Sequence, residues 1–282
     1  MRELNFHLVN VFAEGPLLGN PLCVFEDGTG LSDETMQALA LQFNLSETTF
    51  ILPSATATKR MRIFTPSFEM PFAGHPTLGT SYVVRMLAGG GDALTLETKA
   101  GVVPVTAKED RWTLQIPNAP KTRAFEHTRD QLAQALSVAE TDIVGDPLYV
   151  DTGSEQFVIP LASRDAVMRT QPDPKLLAQL VRAGSGDRYL AYVYAPDGEG
   201  KIVSRFFFPA NGSLIEDPGT GSACANLGGY LLAQGKRAPF TITVDQGERT
   251  GRRCALTLTV DAQSRIHVGG RCVRIGGGVI TL

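Results

Sequence analysis

The chain has 282 residues, 43% hydrophobic and 20% charged, with a formal net charge of −3. That balance fits an ordinary globular protein and excludes a polyelectrolyte; Lys and Arg are scattered in ones and twos, so no nucleic-acid partner is expected. No run approaches the ~20 apolar residues of a membrane span, and the opening MRELNFHLVNVF lacks the apolar core of a secretory signal, so no membrane partner and a cytoplasmic address are expected.

In chain order, LNFHLVNVFAEGPLLGNPLCVFED reads as two strands around a Gly-Asn-Pro turn. LSDETMQALALQFN follows as an amphipathic helix capped by Ser32, with Met36, Leu39, Ala40 and Phe43 at helical spacing. SETTFILP and KRMRIFTP read as strands. The glycine turn at 71–75 then leads into PTLGTSYVVRMLAGGG, a helix apolar on nearly every side and therefore buried, with Pro76 in its first turn and glycines after Ala88 ending it.

The same order recurs downstream. RIFTP (62–66) and RFFFP (205–209) share R-x-F-x-P, and each precedes a polar loop, a glycine turn and an apolar helix, GHPTLGTSYVVRMLAGG and GSACANLGGYLLAQGK. LETKAGVVPV and TVDQGERTG then supply a β-rich run ending at glycine, and LSETTFIL (45–52) finds a weaker echo in GSEQFVIP (153–160). The expected organisation is a duplicated α+β unit, each copy a β-roll around one central helix. Boundaries fall at 1–118 and 119–272, in the Pro-rich QIPNAPKTRAFEHT, with a C-terminal strand at 273–282 returning to the first domain. If the halves pack with twofold pseudosymmetry, the two helix starts share a cleft suited to carboxylates.

Glu47 in NLSETTF, His75 in PFAGHPTLG and Asp217 in LIEDPGTGSACA all lie at element ends, where a small-acid isomerase would place proton-transfer groups. Each also has a plain alternative: a solvated loop carboxylate, a turn-stabilising imidazole, and a side-chain cap on the second helix. GTGSACANLGG has neither a Gly-Lys-Ser/Thr nor a GxGxxG spacing, which argues against phosphate-loop and dinucleotide binding. Cys23, Cys224, Cys254 and Cys272 form no CxxC pair, and the four histidines stand apart, so neither a disulfide framework nor a metal site is expected. Cys224 and Trp112 read as packing residues.

At VFAEGPLLGNPLCVF, NLSETTF, RIFTPSFEMPFAGHPTLG, LETKAGVVPV and IEDPGTGSACANL, in that order, the chain resembles the phenazine-biosynthesis PhzF-like family, whose fold is shared with diaminopimelate epimerase and proline racemase. The resemblance implies a homodimer of two-domain subunits and an isomerase that uses neither cofactor nor metal. It implies Glu47 as general acid/base, His75 and Asp217 as substrate-binding or proton-relay residues, and Ser46, Gly74, Gly221 and Ser222 as lining. The implied substrate is a small cyclic or unsaturated carboxylic acid similar to trans-2,3-dihydro-3-hydroxyanthranilate. The racemising relatives use a thiol before each glycine turn; here Ala73 and Pro218 are taken to stand in those places, which disfavours the alternative of an amino-acid epimerase. A catalytically silent metabolite-binding module is the other alternative.

Overall fold

The computed structural model describes residues 1–182, 189–210 and 212–282. They divide into two compact α+β units, Met1–Gln115 with Gly269–Leu282, and Ile116–Val268. In chain order the first contains β1 (Glu3–Val11), β2 (Asn20–Phe25), α1 (Asp33–Phe43), β3 (Glu47–Leu52), β4 (Lys59–Phe64), β5 (Glu69–Met70), α2 (Gly74–Ala88), β6 (Ala93–Thr98), β7 (Gly101–Lys108) and β8 (Arg111–Gln115). The second contains β9 (Lys121–Ala124), α3 (Arg129–Leu136), β10 (Leu148–Asp151), β11 (Gln156–Pro160), α4 (Arg164–Arg169) and α5 (Pro174–Leu180). It continues with β12 (Ala191–Pro196), β13 (Lys201–Ala210), β14 (Ser213–Asp217), α6 (Gly221–Ala233), β15 (Phe240–Gln246) and β16 (Cys254–Val260). The last strand, β17 (Ile266–Thr281), starts in the second unit and runs into the first.

The first unit is a closed barrel of eight strands. Beginning at β1, neighbours run β2, β3, β4, β6, β7, β8 and β17, and β17 pairs back with β1 along nearly its whole length. Closure removes the sheet edges, which would otherwise offer unpaired backbone to other chains. Helix α2 fills the barrel: His75 through Ser81, Val83 and Val84 are all buried, as its all-round apolar pattern predicts. Gly79 allows the close approach, since a Cβ there would sit 2.6 Å from Leu22 Cδ2 and 2.9 Å from Val11 Cγ2. Helix α1 covers the outer face, capped by the Ser32 side chain as expected, and packs on Phe25, Phe50 and Phe64.

The second unit repeats these pairings. Strand β10 lies antiparallel to β9 and β11, β11 parallel to β12, β12 antiparallel to β13, β13 parallel to β15, and β15 antiparallel to β16. This equates β13 with β4, β14 with β5 and α6 with α2, as the two R-x-F-x-P segments predict. The correspondence extends to side chains. Arg62 grips Glu69 with two bonds of 2.8 and 2.6 Å and lies over Phe64; Arg205 grips Glu216 at 3.1 and 2.7 Å and lies over Phe207. The outer face of this unit is covered by α3, α4 and α5, which pack on Phe157, Ile159, Val193 and Phe207.

Two details of the proposed repeat are corrected. LSETTFIL forms β3, whereas GSEQFVIP forms β11, whose pairing makes it the counterpart of β2. The residue before the helix-starting glycine is Ala73 in the first unit and Thr220, not Pro218, in the second.

Candidate active site

In the first unit, Glu47 opens β3 just after α1 ends at Asn44, and His75 is the second residue of α2. The barrel brings them together: His75 Nε2 lies 3.4 Å from Glu47 Oε2, with side-chain exposures of 6% and 15%. Complete burial disfavours the imidazolium and pushes the His75 pKa down to about 3, while a bond from the ring to the Pro21 carbonyl opposes this only in part. The contact is therefore one between a neutral imidazole and a carboxyl group rather than an ion pair. Among the described residues Nε2 makes no hydrogen bond, so the Pro21 bond belongs to Nδ1, which carries the proton. Nε2 consequently turns a lone pair toward Glu47. Ser46 and Gly74 flank the two residues and are half-buried.

In the second unit, Asp217 ends β14. Its Oδ2 accepts the Thr220 hydroxyl, and the N-cap Thr220 makes no side-chain capping bond. Gln246 ties the loop down: its Nε2 donates to the Asp217 carbonyl and to Thr220 Oγ1, both at 2.9 Å, and its Oε1 accepts the Thr220 N–H at 3.3 Å. The following Gly247 has φ 82°, and a Cβ there would collide with the Pro218 and Arg252 carbonyls. Gly221 is buried at the start of α6, and Ser222 next to it accepts a 2.8 Å bond from Gln156 Nε2. Neither Ala73 nor Thr220 caps its helix with a side chain, so the first N–H groups of α2 and α6 are left to other acceptors, a favourable setting for an anion.

The repeat makes the acids complementary. Phe64 and Phe207 are equivalent, and they pair with Thr48 and Ala191, so Leu190 holds the place of Glu47. Met70 likewise holds the place of Asp217, because Ile63 pairs with Met70 as Phe206 pairs with Asp217. Each unit thus carries one acid at a position the other leaves apolar. Cys224 is buried in α6 and burial pushes its thiol far above the ordinary range, as it does for the other three cysteines. Among the described residues no three His, Cys, Asp or Glu gather as a metal-binding group, and no helix is long and apolar enough to cross a membrane.

Gln156, Asn226 and Gln246, which bond to Ser222, to one another or to the Asp217–Thr220 loop, were not singled out by motif reasoning. Asn226 carried a usable signal, a polar amide in the otherwise apolar GSACANLGGYLLA; the two glutamines carried none.

Two strand rolls, each around a buried helix whose start holds polar side chains, define the class of epimerase-like isomerase folds. A hydroxyproline epimerase from Agrobacterium vitis shares this fold at TM-score 0.63 and 13% identity, over 100% of this chain and 93% of that one. The phenazine biosynthesis-like family profile matches residues 9–280. An uncharacterised isomerase from Pasteurella multocida is 39% identical over 275 residues, 97% of this chain and 92% of that protein. The trans-2,3-dihydro-3-hydroxyanthranilate isomerase of Pseudomonas chlororaphis is 31% identical over 294 residues, 99% of each. The crystal structure of a PhzF-family protein from Bacillus anthracis superimposes with TM-score 0.88 at 26% identity, over 100% of both chains. The chain belongs to the phenazine biosynthesis-like, or PhzF, family, and it is an isomerase.

Proposed function

We propose that the protein moves a proton between two carbons of a small cyclic or unsaturated carboxylic acid, of the kind represented by trans-2,3-dihydro-3-hydroxyanthranilate, without a cofactor. Glu47 is the acid/base. It takes the proton from one carbon, the electron pair shifts along the conjugated system, and Glu47 returns the proton at another carbon, so the reaction is redox-neutral. His75 and Asp217 bind the substrate and steady the proton, and Ser46, Gly74, Gly221 and Ser222 line its place.

The observation that carries this reading is the 3.4 Å approach of Glu47 Oε2 to the bare Nε2 of a neutral His75. A carboxyl that can hold a proton against imidazole and then surrender it is suited to general acid–base work. The second carboxylate, Asp217, is held by Thr220, itself bonded to Gln246, which suits it to binding more than to exchange.

The test is solvent-deuterium incorporation into trans-2,3-dihydro-3-hydroxyanthranilate followed by NMR. The wild type exchanges, and Glu47→Gln, which keeps the shape but removes the titrating oxygen, loses at least about 100-fold in rate. Exchange by Glu47→Gln at the wild-type rate removes Glu47 as the base.

A further inference from the structure

A chain of side-chain amides runs from β11 to α6 and ends on Ser222, and backbone groups fix its polarity. Asn226 is fully buried. One terminal atom of its amide takes the Thr152 N–H at 3.0 Å and the Thr152 hydroxyl at 2.7 Å; the other gives a bond to the Ser154 carbonyl at 2.8 Å. A backbone N–H can only donate and a carbonyl can only accept, so this amide cannot be turned over. Its second N–H goes to Gln156 Oε1 at 2.9 Å, which leaves Gln156 Nε2 to donate to Ser222 Oγ at 2.8 Å. Ser222 therefore accepts from inside the protein. Among the described residues its hydroxyl has no acceptor, and its one proton is left to give outward at the uncapped start of α6.

The fold does not require these amides. With Gly221 equivalent to Gly74, Gly79 stands where Asn226 stands, and the strand registers put Leu22 where Gln156 is. Gly79 and Leu22 meet in apolar packing, and the first unit closes its barrel without any polar link between them. The second unit buries two amides in the same two places, which costs stability unless every bond is made.

We propose that Gln156 and Asn226 are positioning residues that hold Ser222 as a hydrogen-bond donor, so that it favours a substrate oxygen that accepts, most strongly the anionic oxygen of a carboxylate. This rests on the reading that the substrate is a small carboxylic acid. Gln156→Glu is nearly isosteric and keeps the bond from Asn226, but its second oxygen accepts the Ser222 proton instead of donating, which reverses the hydroxyl.

The experiment measures binding of 3-hydroxyanthranilate, a stable aromatic acid, and of its carboxamide by calorimetry in a double-mutant cycle. Wild type favours the acid. Gln156→Glu weakens acid binding about 10-fold or more. In a Ser222→Ala background the same change adds little, whereas a loss due to the new charge alone would persist there. Gln156→Leu, the choice made in the first unit, weakens binding without adding charge and serves if the glutamate variant fails to fold. Wild-type affinity in both Gln156 variants, losses that add in full with Ser222→Ala, or a wild type that does not prefer the acid each overturn the proposal. Coupled acid binding without deuterium exchange would instead sink the isomerase reading and leave the relay standing.

Discussion

At the scale of single residues, burial takes His75 far from its chemistry in water. Its folded pKa of about 3 lies below the unfolded value of about 6.5, so as pH falls the unfolded chain takes up the proton first. The neutral, buried ring contributes its full stability above about pH 6.5 and loses it progressively as pH falls toward 3. Between pH 7.5 and 5 this amounts to roughly 2 kcal/mol, measurable by urea unfolding at the two values, and His75→Asn abolishes that part of the slope. An unchanged slope in the variant would place the acid sensitivity elsewhere. Glu47, His75 and Asp217 were legible as candidates because each stands at an element end inside a motif that carries the family resemblance. Gln156 was not, and Asn226 showed only as a polar amide in an apolar helix, because an amide's role depends on which groups it meets, and here those lie 70 and 72 residues apart along the chain.

At the scale of elements, the two R-x-F-x-P strands are held to their short partner strands by the same Arg–Glu fork, similarly buried, but Arg205 has further partners. The Arg205 side chain is 8% exposed; its Nη1 also donates to the Val167, Met168 and Thr170 carbonyls, joining β13 to the end of α4. Removing it strands Glu216 and three carbonyls in the interior. Arg205→Met is expected to cost about 3–5 kcal/mol in chemical denaturation. Arg111→Ala, which breaks a pair exposed by 51% and 42%, is expected to cost less than about 1 kcal/mol. Equal losses would mean that the fork is not what anchors β14. The elements themselves were readable from periodicity, capping and punctuation: Ser32 caps α1, and α2 ends where the glycines begin. Two alignments between the repeats were not. Gly219 and Gly221 both resemble a helix start, and only backbone geometry shows that α6 begins at the second, which moves the counterpart of Ala73 to Thr220. β2 and β3 are neighbouring strands of similar length and composition, so a serine-glutamate echo could attach to either.

At the scale of the whole molecule, a duplication visible as several motif pairs in one order proves to be a duplication of strand order, with the direction of each pairing conserved from β1 to β7 and from β10 to β16. What the duplication does not copy is the chain position of the strand beside the first one: β9 directly precedes β10, whereas β1 is paired by β17 from the far end of the chain. Residues from Gly269 onward complete the first unit by pairing with β1 and β8. A chain ending at Val268 keeps all of the second unit but leaves β1 and β8 with open edges. That truncation is expected to bind a hydrophobic dye and to lose a large part of its cooperative unfolding transition; a sharp, full-size transition would show that the barrel tolerates the gap.

The same strand sets an order of events during synthesis. The unit whose first 115 residues leave the ribosome first is the one that cannot be finished until the last residues follow, whereas the second unit is one continuous stretch available earlier. For the interval needed to make more than 150 residues, β1 and β8 wait for a partner not yet translated. The barrel that holds Glu47 and His75 can therefore close only after the whole of the second unit has been translated.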